Sequence, residues 1–201
     1  MAPRFRHGRP LALVRACALA WTVLTPVITL APSSAGDALT PRQLDALNLN
    51  PYAPGTKPPE FTGRTLRGDA VSMSGLRGSV LILNFWASWC AECRPEMPVL
   101  EQLHREFAPR GLAVVGVNAR EGTEAVRRYA QELGLTFPLV LDPGGKIKAL
   151  YGVIGLPTTF VVGRDGRAVA LAIGPREWAS APARAIIHAL LAEPTPRTGA
   201  Q

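Results

Sequence analysis

A continuous apolar run at residues 80–87, VLILNFWA, constrains the fold more than any other stretch of the chain. Its β-branched and aromatic side chains are typical of a central strand that is buried on both faces. Two further runs, LAVVGVN at 112–118 and FPLVLD at 137–142, predict a second and a third strand. The chain is therefore expected to fold around a largely buried sheet.

Helical patterns alternate with these strands. The predicted helices span residues 93–110, 121–134, 144–153 and 176–192. On the first of them an apolar stripe is formed by Met97, Leu100, Leu103 and Phe107. Pro98 should remove a backbone hydrogen bond from that helix and kink it, and Pro182 should displace or kink the last helix.

Two hairpins complete the predicted fold. Gly-Asp turn chemistry at 61–79 predicts a small β-hairpin, and two strands flank a Gly-Arg-Asp-Gly turn within 158–174. Strands that alternate with helices and end in a hairpin predict an α/β fold, with helices on both faces of a mixed sheet. The sequence contains no nucleotide-binding glycine fingerprint, and neither a cofactor nor a resident metal is expected.

The first 35 residues are typical of a targeting segment. Arg4, Arg6 and Arg9 form a positive region ahead of an apolar stretch at 16–31, and small residues permit cleavage after Ala35. The segment is expected to be a cleaved signal peptide or, with residues 11–31 in the bilayer, a retained membrane anchor. Either form places the rest of the chain in the periplasm or on the extracytoplasmic face of the cytoplasmic membrane.

Residues 36–59 contain five prolines and are predicted to form a Pro-rich linker, either extended or wrapped along the domain as an arm. A short helix is expected within residues 39–47. The main domain is predicted at 60–192, and a disordered tail follows at 193–201.

The positive net charge of +7 does not indicate a nucleic-acid partner. Four of the 22 Lys and Arg residues lie in the first 15 positions, and without them 18 basic residues stand against 15 acidic ones. Because the remaining basic residues are scattered, nucleic-acid binding is not expected.

Cysteine is rare in this chain, and two of its three cysteines occur together. Cys90 and Cys93 follow the first predicted strand, whereas Cys17 lies within the targeting segment. At the first turn of a helix, backbone N–H groups and the helix dipole lower the pKa of the first thiol. Cys93 is close enough to attack a mixed disulfide on Cys90, so the pair is predicted to perform redox exchange.

Three other uses of the pair are open. A zinc site needs four ligands, of which the pair supplies two, and His104 and His188 lie on separate predicted helices. A static disulfide would close a loop too short to gain much stability. Two thiolates can also hold Cu(I), which makes a copper-binding metallochaperone the alternative from a different functional class.

Glu96 extends the apolar stripe of the helix towards the two thiols. A carboxylate there is expected to be partly desolvated, which raises its pKa and suits it to exchange protons with a thiol. Its alternative role is to complement the helix dipole. Glu92 should oppose thiolate formation and Arg94 should favour it, and the sequence does not decide between them.

The segments VLILNFWASWCAEC at 80–93 and GLPTTFVV at 155–162 together resemble the thioredoxin superfamily, and specifically its TlpA/ResA-like exported branch. The resemblance covers about residues 60–192. It implies a thioredoxin-like mixed sheet flanked by helices, with an N-terminal β-hairpin and a central helix–strand insertion at about 121–142.

The resemblance also implies roles for individual residues. Cys90 is the attacking thiol and Cys93 the resolving thiol of a redox-active disulfide. A cis Pro157 lies beside them and belongs to the catalytic set. Trp89 and Leu156 contact the substrate, whose chain pairs with the backbone next to Leu156.

Two positions depart from the pattern of the superfamily. Asn84 stands where cytosolic thioredoxins carry a buried aspartate, which leaves Glu96 as the natural proton acceptor and so as a catalytic residue. The dipeptide Ala91-Glu92 lacks the proline that is common between the two cysteines. The second departure affects the reduction potential and leaves the reaction class unchanged.

By this resemblance the protein is a thiol–disulfide oxidoreductase that reduces disulfides of client proteins in cytochrome c maturation or metal-site assembly. Its electrons would come from a membrane thiol transporter, and it is expected to be a monomer. Peroxiredoxins share the fold, but Leu83 and Ala87 replace the Pro and Thr of their Pro-x-x-x-Thr-x-x-Cys context.

Overall fold

The computed structural model describes residues 39–195. The predicted targeting segment, with its cleavage after Ala35 and with Cys17, lies outside the described residues, as do residues 196–201 of the predicted tail. Between residues 39 and 195, no helix has both the length and the apolar composition needed to cross a membrane.

Within the described residues, eight strands form one sheet, which is mixed as the sequence predicts; β1 was not among the predicted strands. They are β1 (Asn50–Pro51), β2 (Thr62–Thr65), β3 (Ala70–Ser72), β4 (Val80–Trp86), β5 (Leu112–Ala119), β6 (Leu139–Asp142), β7 (Thr158–Val162) and β8 (Ala168–Ile173). Their order in the sheet is β1-β8-β7-β4-β5-β6-β2-β3. The strands β4, β5 and β6 are parallel, whereas β7 runs antiparallel to both β4 and β8. The predicted N-terminal hairpin is formed by β2 and β3.

Helices pack on both faces of this sheet. They are α1 (Pro41–Asp45), α2 (Glu96–Phe107), α3 (Thr123–Leu133), α4 (Lys146–Leu150) and α5 (Ala181–Ala192). All seven residues of β4 are buried, and alternate side chains belong to two different apolar cores. Ile82 and Trp86 join the core that contains α2 and α5, whereas Leu83 and Phe85 join the core that contains α4.

The predicted stripe on α2 is confirmed, because its four apolar side chains are fully buried. The helix itself begins at Glu96, later than predicted, since residues 91–95 form turns. Pro98 therefore falls in the first turn, where backbone N–H groups have no partner within the helix, and the predicted loss of a hydrogen bond is wrong. Pro182 likewise lies in the first turn of α5, after a Ser180 cap, and marks a displaced start of that helix.

The segment predicted as a Pro-rich linker is structured over residues 39–59. Helix α1 packs against α5, and β1 pairs with β8, with Asn50 opposite Leu171. Three leucines of the segment are buried in the core: Leu44, Leu47 and Leu49. The segment is therefore a wrapping arm and not a free linker, because these leucines give it an apolar face that packs on the domain. The prolines between them interrupt any regular pattern by which the sequence could have predicted that face.

Gly116 is the position in β5 where added volume should harm the fold most directly. A Cβ atom there would lie 2.8 Å from Trp86 Nε1 and 3.0 Å from Leu139 Cδ2, both of them core side chains. We expect Gly116→Ala to lower the free energy of unfolding by about 1–3 kcal/mol in denaturant titrations of the oxidised protein.

Gly144→Ala is the matched control for this substitution. The nearest atom to its added Cβ would be Lys146 Cγ at 3.8 Å, so its effect should stay within about 0.5 kcal/mol. Equal effects of the two substitutions would show that the close packing around Gly116 does not limit stability.

Candidate functional site

The cysteine pair lies where β4 leaves the sheet. Cys90 and Cys93 form a disulfide in the turns between β4 and α2, with their Cα atoms 5.3 Å apart. The backbone N–H of Cys93 points at Cys90 Sγ, at a distance of 3.1 Å between nitrogen and sulfur. A donor at this distance favours negative charge on the sulfur, and hence the thiolate of Cys90 once the disulfide is reduced.

The two sulfur-bearing residues differ in their access to solvent. Cys90 keeps 7% of its surface exposed, whereas Cys93 is completely buried. Trp89, directly before the pair, is 69% exposed and projects an indole ring beside the accessible cysteine. A large partner can therefore approach Cys90 but not Cys93.

Leu156 and Pro157 directly precede β7, which pairs with β4. In the antiparallel pairing of β7 with β4, Thr158 stands opposite Phe85, so the residues before Thr158 run next to the chain that leaves β4. The Leu156–Pro157 peptide bond is cis. Pro157 is buried, and its carbonyl oxygen accepts a hydrogen bond of 2.9 Å from Gly174 N–H.

Glu96 is a buried carboxyl group at the start of α2, with 4% of its surface exposed. Its Oε1 accepts hydrogen bonds from the backbone N–H of Arg176 at 2.7 Å and from the indole N–H of Trp178 at 2.9 Å. Burial raises the pKa of Glu96 to about 7, and the two hydrogen bonds reduce this shift without cancelling it. The group can therefore gain or lose a proton near neutral pH.

Glu96 is also one turn from the buried cysteine. Its backbone N–H donates to the carbonyl of Cys93 at 3.1 Å. Asn84, fully buried in β4, donates through Nδ2 to Thr159 Oγ1 at 2.9 Å, and its side chain lowers the pKa of Glu96 slightly. Because an amide does not ionise in this pH range, Asn84 contributes polarity to the centre of the sheet but no titrating proton.

The charges of Glu92 and Arg94 are unequally compensated. Arg94 binds Glu132 of α3, and its guanidinium lies over the ring of Tyr129 at 5.4 Å from the centroid. Glu92 is exposed and forms no ion pair with any described residue. The uncompensated charge next to the cysteines is therefore negative, which disfavours a thiolate.

Glu121 binds the turn before the cysteine pair, a contact that the sequence did not reveal. Its carboxylate accepts hydrogen bonds from the backbone N–H of Ser88 at 2.7 Å, from the Ser88 hydroxyl, and from Asn118 Nδ2 at 2.6 Å. Ser88 directly precedes Trp89, so this contact fixes the turn that presents the exposed indole and Cys90. The sequence could have indicated this contact only through the position of Glu121. The residue follows β5, and the end of β5 lies beside the end of β4.

The sequence also did not predict the contacts of Arg176 and Trp178 with Glu96. They lie 80 and 82 residues after Glu96, in the irregular segment between β8 and α5. No local pattern links positions so far apart, and the contacts depend on the tertiary fold.

The described residues do not group three His, Cys, Asp or Glu side chains in a way that could hold a metal ion. His104 and His188 pack against aromatic rings, with centroids 6.2 Å from Phe137 and 5.2 Å from Phe107 respectively.

Sequence comparison agrees with this geometry. The sequence profile of the AhpC/TSA family matches residues 54–170, which is more than half of the chain. The chain belongs to the AhpC/TSA family. Among its relatives, the thiol-disulfide oxidoreductase ResA of Bacillus thuringiensis is 36% identical over 120 residues, which cover 60% of this chain and 69% of that protein.

Solved structures in the comparison share this architecture. A thiol:disulfide interchange protein of the thioredoxin family from Chlorobium tepidum superposes with a TM-score of 0.62 at 32% identity, covering 70% of this chain and 99% of that one. A secreted disulfide oxidoreductase of Mycobacterium tuberculosis, homologous to Escherichia coli DsbE, gives a TM-score of 0.55 at 26% identity, covering 66% and 96%.

These matches confirm the predicted thioredoxin-like fold and the resemblance to ResA. This member of the AhpC/TSA family is a thiol–disulfide oxidoreductase, and its Cys90–Cys93 pair supplies the dithiol that this chemistry requires.

The raised pKa of Glu96 should make the stability of the oxidised protein depend on pH. Between pH 4.5 and about 7 the folded protein holds a proton that the unfolded chain has lost. The free energy of unfolding should therefore fall as pH rises through this range, by at most about 3 kcal/mol. Glu96→Gln removes the titrating group and should flatten this decline in denaturant titrations at successive pH values.

Glu177→Gln provides the control, because Glu177 is a nearby glutamate that is exposed. It should leave the decline intact. Parallel curves for the native protein and Glu96→Gln would contradict the assignment of this titration to Glu96.

Proposed function

We propose that this protein acts outside the cytoplasm and reduces disulfides of client proteins, in cytochrome c maturation or in the assembly of metal sites. One observation carries the proposal: Cys90 reaches the surface, whereas Cys93 is fully buried one turn before the buried carboxyl group of Glu96. Disulfide exchange uses an accessible nucleophile, a shielded second thiol and a proton acceptor near it.

The reaction proceeds through a mixed disulfide. The Cys90 thiolate attacks one sulfur of the client disulfide, and the other client sulfur leaves as a thiolate. Cys93 then loses its proton to Glu96 and attacks Cys90 Sγ, which releases the second client thiolate. The client gains two electrons, the enzyme keeps the Cys90–Cys93 disulfide, and a membrane thiol transporter restores the dithiol by the reverse exchange.

The client docks as an extended segment beside Leu156. Two exposed isoleucines flank this position: Ile154 is 93% exposed, and Ile173, opposite Thr158, is 54% exposed. Together with Trp89 they offer apolar contacts to the side chains around the client cysteine, while backbone pairing next to Leu156 aligns its chain.

The location outside the cytoplasm is supported by the targeting segment at residues 1–35 and by the secreted Mycobacterium tuberculosis relative. Residues 11–31 provide a membrane anchor if the segment is retained. The enzyme acts as a monomer at the extracytoplasmic face of the membrane or in the periplasm, where its electron donor is a membrane protein.

Cys93→Ser should trap the mixed disulfide. In a chain that also carries Cys17→Ser, incubation of this reduced variant with a peptide disulfide should accumulate the Cys90 adduct, seen by mass spectrometry. Cys90→Ser in the same background should react at least about 100-fold more slowly, because Cys93 is completely buried. Equal trapping by both variants would contradict the assigned order of attack.

A tight 1:1 Cu(I) complex without insulin reduction would favour the metallochaperone.

The reduction potential decides the direction of exchange. Titration of Trp89 fluorescence in a thiol buffer series should give a value near or below that of thioredoxin, about −270 mV. A value near about −120 mV would identify an oxidant.

Because the charge of Glu92 is uncompensated, Glu92→Gln should raise the reduction potential by about 10–20 mV. Arg94→Gln should change it less, since Glu132 already neutralises Arg94.

A further inference from the structure

Arg176 connects two parts of the molecule that the proposed mechanism treats as unrelated. Its backbone N–H donates to Glu96 Oε1 at 2.7 Å. Its guanidinium donates through Nε and Nη2 to the carbonyl oxygen of Asn48, at 3.1 Å and 2.8 Å. A single residue therefore contacts both the buried carboxyl group and the N-terminal arm.

The segment around Arg176 belongs to no helix or strand, and it is held by the buried side chain of Trp178 and by the contact of Arg176 with the arm. It is irregular, and it begins after Gly174, whose φ of +83° suits glycine and whose N–H is bound to Pro157. Trp178 follows and is 2% exposed. Its backbone N–H donates to the Arg176 carbonyl at 2.9 Å, and its indole N–H donates to Glu96. Both donors to Glu96 thus belong to one short segment, and their positions depend on what holds that segment.

The arm offers a fixed point for this purpose. Asn48 lies between two buried leucines, Leu47 at 5% and Leu49 at 3% exposure, and its φ of +50° turns the chain sharply there. The N–H of Leu49 binds the carbonyl of Leu44 at 3.0 Å. With its neighbours on both sides packed in the core, the Asn48 carbonyl is held in place towards the guanidinium of Arg176.

We propose that the N-terminal arm positions the redox-site carboxyl group of Glu96 through Arg176, which makes Arg176 a positioning residue of this enzyme. The proposal rests on the proposed function insofar as Glu96 accepts the proton of Cys93. Its consequence is that the segment leading from the targeting sequence to the domain also controls the proton chemistry of the active site.

Arg176 acts on the protonation of Glu96 in one direction. Burial raises the pKa of Glu96, whereas the backbone N–H and the positive charge of Arg176 lower it. In the described part a charge acts on this carboxyl group from Arg176, and neutral side chains that lower its pKa are those of Trp178 and Asn84. Loss of the guanidinium should therefore raise the pKa of Glu96 further.

The test uses the full-length oxidised protein, because neither of its two readouts depends on enzyme activity. Arg176→Ala should raise the pKa of Glu96, measured from its carboxyl ¹³C shift, by about 0.5–1 unit. It should also speed hydrogen exchange at the backbone N–H of residue 176 by about tenfold, because this donor loses its tie to the arm. Arg184→Ala, which removes a surface arginine paired with Glu106, is the matched control and should change neither quantity.

The outcomes separate positioning from charge. If Arg176→Ala changes neither the pKa nor the hydrogen exchange, the proposal is overturned. A raised pKa with unchanged exchange shows that charge alone acts, and it also overturns positioning. Arg176→Lys keeps the charge but loses the two-donor fork, so it should show faster exchange even if Arg176→Ala does not fold.

The reduced enzyme shows whether Glu96 does what the proposed function requires. In Arg176→Ala the pH dependence of client reduction should move upward with the pKa of Glu96, and the rate at pH 7 should fall about two- to fivefold. If the pKa and exchange respond but this profile does not, the contact with the arm stands and the role of Glu96 as proton acceptor fails.

Discussion

Burial of β4 on both faces is the constraint on which the rest of the structure depends. Its side chains alternate between two apolar cores, so the strand has no solvent-facing side along its length. The chain returns to the surface only after Trp86, in the turn that carries Cys90 and Cys93. The end of β5 and the start of β7 lie on either side of this point, which is why residues from distant parts of the sequence meet at the disulfide.

Helix α2 carries two buried glutamates whose pKa values move in opposite directions. Burial acts to raise the pKa of both, but hydrogen bonds from Thr136, Phe137 and Arg105 bring that of Glu101 below its usual value. Glu96 has weaker compensation, so its pKa stays near 7. Glu101 remains ionised and joins α2 to the strand region before β6. Incomplete compensation is thus what lets Glu96 gain or lose a proton near neutral pH, at the expense of stability above neutral pH.

Local patterns predicted most of the fold, because β4, α2 and the two hairpins each follow one clear physical rule. The site was predictable where its residues are close in sequence, as for Cys90, Cys93 and Glu96. For residues 36–59 the sequence left an extended linker and a wrapping arm as alternatives, since the buried leucines are set among prolines and the apolar face forms only against α5. The contacts of Glu121 with Ser88 and of Trp178 with Glu96 were not predictable, because they join positions that only the assembled sheet brings together.

The arm has a further effect at the outer border of the sheet. Strand β1 is two residues long, and Pro51 lacks an N–H to offer another chain; at the opposite border β3 has three residues. Short borders of this kind give a second copy of the protein little backbone on which to continue the sheet. The proposed docking of extended client chains at one loop is thus compatible with resistance of the enzyme to edge-to-edge aggregation with itself.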